Sequence, residues 1–184
     1  MPRDNAEIRR YLERIPKHGV IAEIGVWRGR FARLLRSACQ PRKLILVDPW
    51  KPYGHPAEPL SRADAEKHEQ CYRRVCQAFE GDPSVEIWRL PSVEAAVKAS
   101  KEGIRFAFVY IDADHRYEHV LQDLEAWHGL VGDNCFLGGH DYVNPPGRED
   151  LGVVRAVTEF CSRHPWKLLC VTKESWPSFL LQRA

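Results

Sequence analysis

Short apolar runs recur along this chain at intervals that leave room for one amphipathic helix between neighbours, and this alternation limits the folds open to it. The runs are GVIAEIG (19–25), KLILVD (43–48), VEIWRL (85–90), RFAFVYID (105–112) and NCFLGGHD (134–141). They read as five strands. Between them lie helix candidates at 31–38, 61–79, 93–100 and 117–128, and in the last of these Val120, Leu121, Leu124 and Trp127 share one helical face. Strands alternating with helices imply a mostly parallel sheet with helices on both faces. A further helix at 153–160 precedes WKLLCVT and SFLLQ, which are separated only by KESWP. A connection that short cannot carry a right-handed crossover, so the last two strands are expected to form an antiparallel hairpin.

With 184 residues the chain has enough material for one domain and too little for two. The expected organisation is a single domain over 1–184: an N-terminal helix within residues 1–18 as a cover, and a core over 19–184. Apolar residues make up 44% and charged residues 28%, an ordinary globular balance. A net charge of +2 argues against nucleic acid as a partner. The local run Arg28, Arg30, Arg33, Arg36, Arg42 and Lys43 is assigned to a solvated face. No apolar run approaches a membrane span and no signal-peptide pattern follows Met1, so no membrane partner is expected. The six cysteines contain no C-x-x-C pair, and Cys135 and Cys170 read as small buried hydrophobes. Together these features suggest a reduced, cytoplasmic protein.

Two strand ends carry the parts of a nucleotide crevice. AEIGVWRG places Glu23 two residues before Gly25, with Gly29 four beyond it. That spacing fails the dinucleotide fingerprint G-x-G-x-x-G, because Trp27 stands at its second glycine. The second strand ends in Asp48, and an acid there can accept both hydroxyls of a ribose. The plainer alternatives are a tight turn for the glycines and a solvated turn or helix cap for Asp48.

E-x-G-x-x-x-G, V-D-P-W, I-D-A-D-H-x-Y and G-G-H-D-Y occur in this order between about residues 20 and 160. Together they resemble the class I S-adenosylmethionine-dependent methyltransferases, and in particular the compact branch of sugar and natural-product O-methyltransferases. The resemblance implies a Rossmann-like, seven-stranded, mostly parallel sheet with a C-terminal antiparallel hairpin and S-adenosylmethionine as cofactor. Glu23, Gly25 and Gly29 would then line the turn beside the methionine moiety. Asp48 would hold the ribose and Ser92 would lie near the adenine. Trp27 stands where the family often has a glycine.

The fourth and fifth strand candidates end in Asp112 and Asp141, and the resemblance makes them neighbours. Asp112, Asp114, His115, His140 and Asp141 would converge beside the transferable methyl group. An alcohol acceptor needs a base or a metal. In one mechanism Asp112, His140 and Asp141 hold a divalent metal while Asp114 or His115 takes the proton. A histidine at the middle position suits zinc or manganese better than magnesium. In the other, no metal binds and His115 or His140 is the base. His115 as a simple helix cap, and a zinc pair formed by His115 and His119, are the competing readings. His18, His55, His68, His128 and His164 have no motif around them and are expected at the surface.

The irregular stretches at 49–60 and 142–150 each follow a proposed site strand. Trp50, Tyr53, Tyr142, Asn144 and Arg148 are the candidate acceptor contacts. A small-molecule acceptor is expected, with a second subunit of a homo-oligomer able to complete the pocket. An N-methyltransferase, a cofactor-binding module without turnover and a nicotinamide oxidoreductase are the alternatives. The last is disfavoured by the glycine spacing.

Overall fold

A computed structural model describes residues 5–52 and 64–184. Five strands alternate with helices in chain order: β1 (Val20–Ile24), α2 (Arg30–Cys39), β2 (Lys43–Val47), α3 (Ala65–Ala78), β3 (Val85–Trp88), α4 (Ser92–Lys101), β4 (Phe106–Ile111), α5 (Tyr117–Trp127) and β5 (Val131–Gly139). A short helix α1 (Ala6–Leu12) comes first, and α6 (Val153–Arg163), β6 (Trp166–Val171) and β7 (Phe179–Arg183) complete the chain. The strands form one sheet in the order β3-β2-β1-β4-β5-β7-β6. β1 to β5 pair in parallel, whereas β7 runs antiparallel to both β5 and β6. The expected fold class and its antiparallel ending are therefore present.

Burial follows the apolar runs. Every residue of β1 and β4 is buried, as a strand covered on both faces requires. One face packs Ala22, Ile45, Val109 and Leu137 against Ala95, Leu124, Trp127 and Phe160 of α4, α5 and α6. The other packs Ile21, Leu44, Phe108 and Leu180 against Ile8, Phe31, Leu35 and Val75 of α1, α2 and α3.

The strand order puts the topological switch between β1 and β4, where open α/β sheets bind ligands beyond the carboxyl ends of the strands. Gly25 adopts φ +89°, and a Cβ there would lie 2.1 Å from the Asp112 carbonyl oxygen. Only glycine lets the turn after β1 come so close to the end of β4. No described helix is long and apolar enough to cross a membrane.

Some expectations change in detail. β5 starts at Val131, three residues before the expected 134, because a register irregularity against β4 and a positive φ of 56° at Asn134 interrupt the alternation. Cys135 and Cys170 are only partly buried, while Cys39 and Cys71 are fully so. α1 packs on the sheet face that also carries α2 and α3. Its Tyr11 hydroxyl crosses to donate to the Phe179 carbonyl at 2.8 Å.

Gly138 makes this crossing fit, since a Cβ there would lie 2.3 Å from the Tyr11 hydroxyl and 2.7 Å from the Phe179 carbonyl oxygen. Gly138→Ala is therefore expected to cost roughly 1–3 kcal/mol. Thermal melts should show a lower Tm, partly recovered in the Gly138→Ala/Tyr11→Phe double variant. An unchanged Tm for Gly138→Ala would mean that α1 does not approach β5 this closely.

Candidate active site

Four strands deliver carboxylates to one edge of the sheet: Glu23 within β1, and Asp48, Asp112 and Asp141 just beyond β2, β4 and β5. Side chains alternate across a strand. Glu23, Asp48 and Asp112 therefore share the face covered by α1, α2 and α3.

Glu23 is fully buried, and neither of its carboxylate oxygens has a hydrogen-bond partner among the described residues. Burial pushes its pKa well above the usual glutamate range, and the Asp112 and Asp48 carboxylates push it further. An unsatisfied buried acid of this kind marks a place where a ligand donor or cation would be stabilised.

Asp48 has backbone partners. Oδ2 accepts from the Val26 and Trp27 amides at 3.0 and 2.8 Å, and Oδ1 accepts from the Trp50 amide at 2.7 Å. Burial raises its pKa against the opposing pull of these N–H groups and of His68. The Trp50 indole donates to the Trp27 carbonyl at 2.9 Å, so a second bond ties the end of β2 to the turn after β1. Trp27 and Trp50 both adopt positive φ, 50° and 43°. Such backbone persists only where its surroundings hold it.

Two residues of this region lie buried. Trp50 is 1% exposed and packs in the core beside Tyr72. His68 is 3% exposed rather than at the surface, and its ring stands edge-on to Trp27 with centroids 5.1 Å apart. His68, Cys71 and Val75 form the buried stripe of α3, and that i, i+3, i+7 spacing was the signal available in the sequence. Tyr53 and His55 lie outside the described residues.

At the other side of the crevice His115 Nε2 lies 2.7 Å from Asp141 Oδ2 and 3.4 Å from Asp112 Oδ1. His140 Nδ1 lies 3.0 Å from Asp141 Oδ1 and 3.8 Å from Asp112 Oδ1. Burial works to raise the Asp141 pKa, but hydrogen bonds from His115 and His140 outweigh it and hold that carboxyl well below the usual aspartate value. The ligand atoms of Asp112, His115 and Asp141 all lie within 4.8 Å of one another. In this trio His115 takes the position that the sequence reading gave to His140.

Asp114 is engaged elsewhere. It accepts the Arg116 amide at 3.0 Å and is gripped by the Arg116 guanidinium. Although burial opposes the shift, these bonds keep its pKa low. His115 makes no cap on α5, whose start has no side-chain cap. His119 is 3.9 Å from Asp114 and joins no metal-type cluster with His115 among the described residues. Ser92 sits at the contact of α4 with α5, where its hydroxyl accepts from the Trp127 indole at 2.9 Å and bonds the buried Asp123 carboxyl. Of the candidate acceptor contacts, Asn144 is exposed and Tyr142 is half-buried against Phe179. Arg148 makes a two-pronged pair with Asp150.

The family model described as "Methyltransferase domain" matches residues 22–142. No curated protein matches the chain by sequence. Among solved structures the chain is similar to an O-methyltransferase from Bacillus cereus in complex with SAH, at 16% identity and a TM-score of 0.67 over 98% of this chain and 83% of that one. The N-methyltransferase NodS from Bradyrhizobium japonicum gives 11% and 0.63 over 96% and 94%. The B. subtilis M1A22 tRNA methyltransferase TrmK gives 10% and 0.63 over 99% and 67%. At such identities these likenesses establish the fold.

Two stability measurements test this geometry. Asp48→Ala strips the acceptor from three backbone N–H groups, and each one left buried and unsatisfied costs roughly 1–3 kcal/mol. Denaturant unfolding should show a clear loss, with Asp48→Asn intermediate; an unaltered midpoint would disprove the tie. Asp123 is the second. Burial lifts its pKa to about 7, against the Ser92 hydrogen bond, with Asp114 adding to the rise. Because the folded value exceeds the unfolded one, stability is full below about pH 4 and is lost as pH rises to about 7, by an amount on the order of 4 kcal/mol. Asp123→Asn removes the loss, so its Tm advantage over the wild type should grow from pH 5 to pH 8. A difference independent of pH would show that Asp123 is ordinarily ionised.

Proposed function

Since the chain belongs to the methyltransferase-domain family, within the class I S-adenosylmethionine-dependent methyltransferases, we propose that it methylates a hydroxyl of a small polyhydroxylated molecule such as a sugar or natural product. The observation that carries this reading is the pairing of His115 with Asp141, supported by Asp112, at the mouth of the crevice that holds Glu23.

Glu23 faces the cofactor's methionine portion, where its carboxylate, unpartnered among the described residues, accepts from the ammonium group. Gly25 and Gly29 shape the turn beside it. Asp48 retains acceptor capacity beyond its backbone bonds and receives the ribose hydroxyls. Ser92 bounds the adenine side through the α4–α5 contact.

The acceptor oxygen attacks the methyl carbon in line with the carbon–sulfur bond. As the new carbon–oxygen bond forms, the old pair returns to sulfur and S-adenosylhomocysteine leaves as a neutral thioether. A hydroxyl must lose its proton in this step, whereas a neutral amine attacks without prior deprotonation, so a positioned base favours oxygen as the acceptor atom. With Nε2–H directed to Asp141, the lone pair of His115 lies on Nδ1, and that atom takes the proton. The imidazolium so formed is stabilised by Asp141 and Asp112. His140, buried against the same carboxylate, orients Asp141. Asp114 is a poor base because Arg116 stabilises its ionised form; it serves to shape the turn before α5.

A second reading rests on the clustered ligand atoms of Asp112, His115 and Asp141. Two oxygens and one imidazole nitrogen fit manganese or zinc better than magnesium. His140 stands close enough to Asp141 to join them. A cation held there would lower the pKa of the acceptor's hydroxyls.

Calorimetry and turnover test the assignment together. Glu23→Gln should weaken S-adenosylhomocysteine binding by roughly 10- to 100-fold, the loss of one charge-assisted bond, without unfolding the chain. His115→Gln should keep that affinity and lose about 10²–10⁴-fold in methyl transfer to a panel of polyhydroxylated acceptors. Transfer to amines alone would replace the oxygen reading with the nitrogen one. Loss of turnover in chelator, restored by manganese or zinc, would select the metal-assisted form.

A further inference from the structure

At the end of the molecule served by the carboxyl termini of α5 and α6, a second group of ligating side chains comes together. Glu125 lies in the last turn of α5, His128 opens the 3-10 turn that follows it, and His164 caps α6. Their ligand atoms all lie within 4.8 Å of one another. His164 Nε2 is 2.9 Å from both Glu125 oxygens, and His128 Nε2 is 3.8 Å from Glu125 Oε2. The two imidazoles stand against each other with centroids 4.4 Å apart. Both also rest on the buried Phe160 ring, at 5.4 and 4.7 Å.

We propose that Glu125, His128 and His164 form a binding site for a zinc-class divalent transition metal, separate from the active site and bridging the ends of α5 and α6. Two imidazole nitrogens and one carboxylate oxygen are the borderline donor set that zinc prefers, with one position left for water. Bonds of about 2.0–2.1 Å to a tetrahedral ion put donors roughly 3.3 Å apart. The observed 2.9 and 3.8 Å bracket that spacing, so small side-chain rotations suffice.

The three side chains are 37%, 25% and 24% exposed, which leaves an entry path from solvent. Phe160 fixes both rings from below, much as an apolar floor keeps a ligand set from collapsing. Arg183 is a cation close enough to act on His128. Its guanidinium is engaged by the His128 and Val131 carbonyls and by Asp133.

The active-site trio could also take zinc, so the test must separate the two. Full-length protein freed of metal is titrated with zinc by calorimetry, alongside His128→Gln, His164→Gln and His115→Gln. The wild type and His115→Gln should share a micromolar site. Both His128→Gln and His164→Gln should weaken it by at least 100-fold. Cobalt(II) at the same site should give the intense visible bands of tetrahedral coordination, lost in the same two variants. A hundredfold excess of zinc over Kd should raise the Tm by about 5–10 °C in the wild type. Should a histidine variant lose its circular dichroism spectrum, Glu125→Gln on the exposed helix face replaces it, with at least tenfold weaker binding expected. Zinc affinity unchanged by these substitutions, or no micromolar site in His115→Gln, would overturn the proposal.

Discussion

The organising constraint is electrostatic: four carboxylates brought to the end of an apolar, two-sided sheet. Burying an ionised carboxylate costs several kcal/mol unless it is paired, and three of these acids are treated differently. Asp48 takes backbone amides from the turn after β1 and from its own loop. Asp141 takes two imidazoles. Glu23 takes nothing from the described residues. The first two solutions make structure, and the third leaves a buried acid that a cationic group would stabilise.

The same arrangement explains why this crevice differs from a dinucleotide site. There, a glycine turn and helix N-terminus present backbone N–H groups to a pyrophosphate. Here the Val26 and Trp27 amides already serve an internal carboxylate, and Trp27 fills the space that a second glycine would leave open. A phosphate would have to displace Asp48 and face Glu23 as well. A ligand bearing positive charge would instead complement these carboxylates. The bulky residue at Trp27 is therefore part of a consistent design: it is packed by His68 and its carbonyl is tied to Trp50.

The strand–helix alternation, the hairpin and the strand-end acids were legible because each depends on local pattern. Apolar runs mark strands, a five-residue link forbids a crossover, and an acid directly after a buried strand must sit at its mouth. Features set by tertiary approach were less legible. Trp50 follows a strand in a proline-flanked loop and looks like a surface contact, yet a bond to a carbonyl 23 residues away draws it inside. His68 was hidden by its company of charged residues, although its stripe with Cys71 and Val75 was present. His115 joins Asp112 and Asp141 in a ligand trio because the backbone turns sharply beyond each strand, and no spacing rule gives the direction of a side chain after such a turn. His128 and His164 are 36 positions apart in sequence, so nothing local announces their contact.

The turn at the end of β5 shows how backbone choices set side-chain chemistry. A Cβ on Gly139 would lie 2.5 Å from the Ile111 carbonyl oxygen, so glycine allows β5 to follow β4 closely to its end. The His140 amide then donates to that same carbonyl at 3.1 Å. The next residue, Asp141, bends into the left-handed region with φ +58°, a conformation that costs a non-glycine residue roughly 1–3 kcal/mol. A glycine or asparagine would relieve it more cheaply. Neither would supply an ionised carboxylate between His115 and His140. The two charge-assisted contacts to Asp141, each worth roughly 1.5–3 kcal/mol, are large enough to offset the strain. The close pairing of β4 with β5 thus brings Asp112 and Asp141 to one imidazole, and that imidazole holds the strained turn in place.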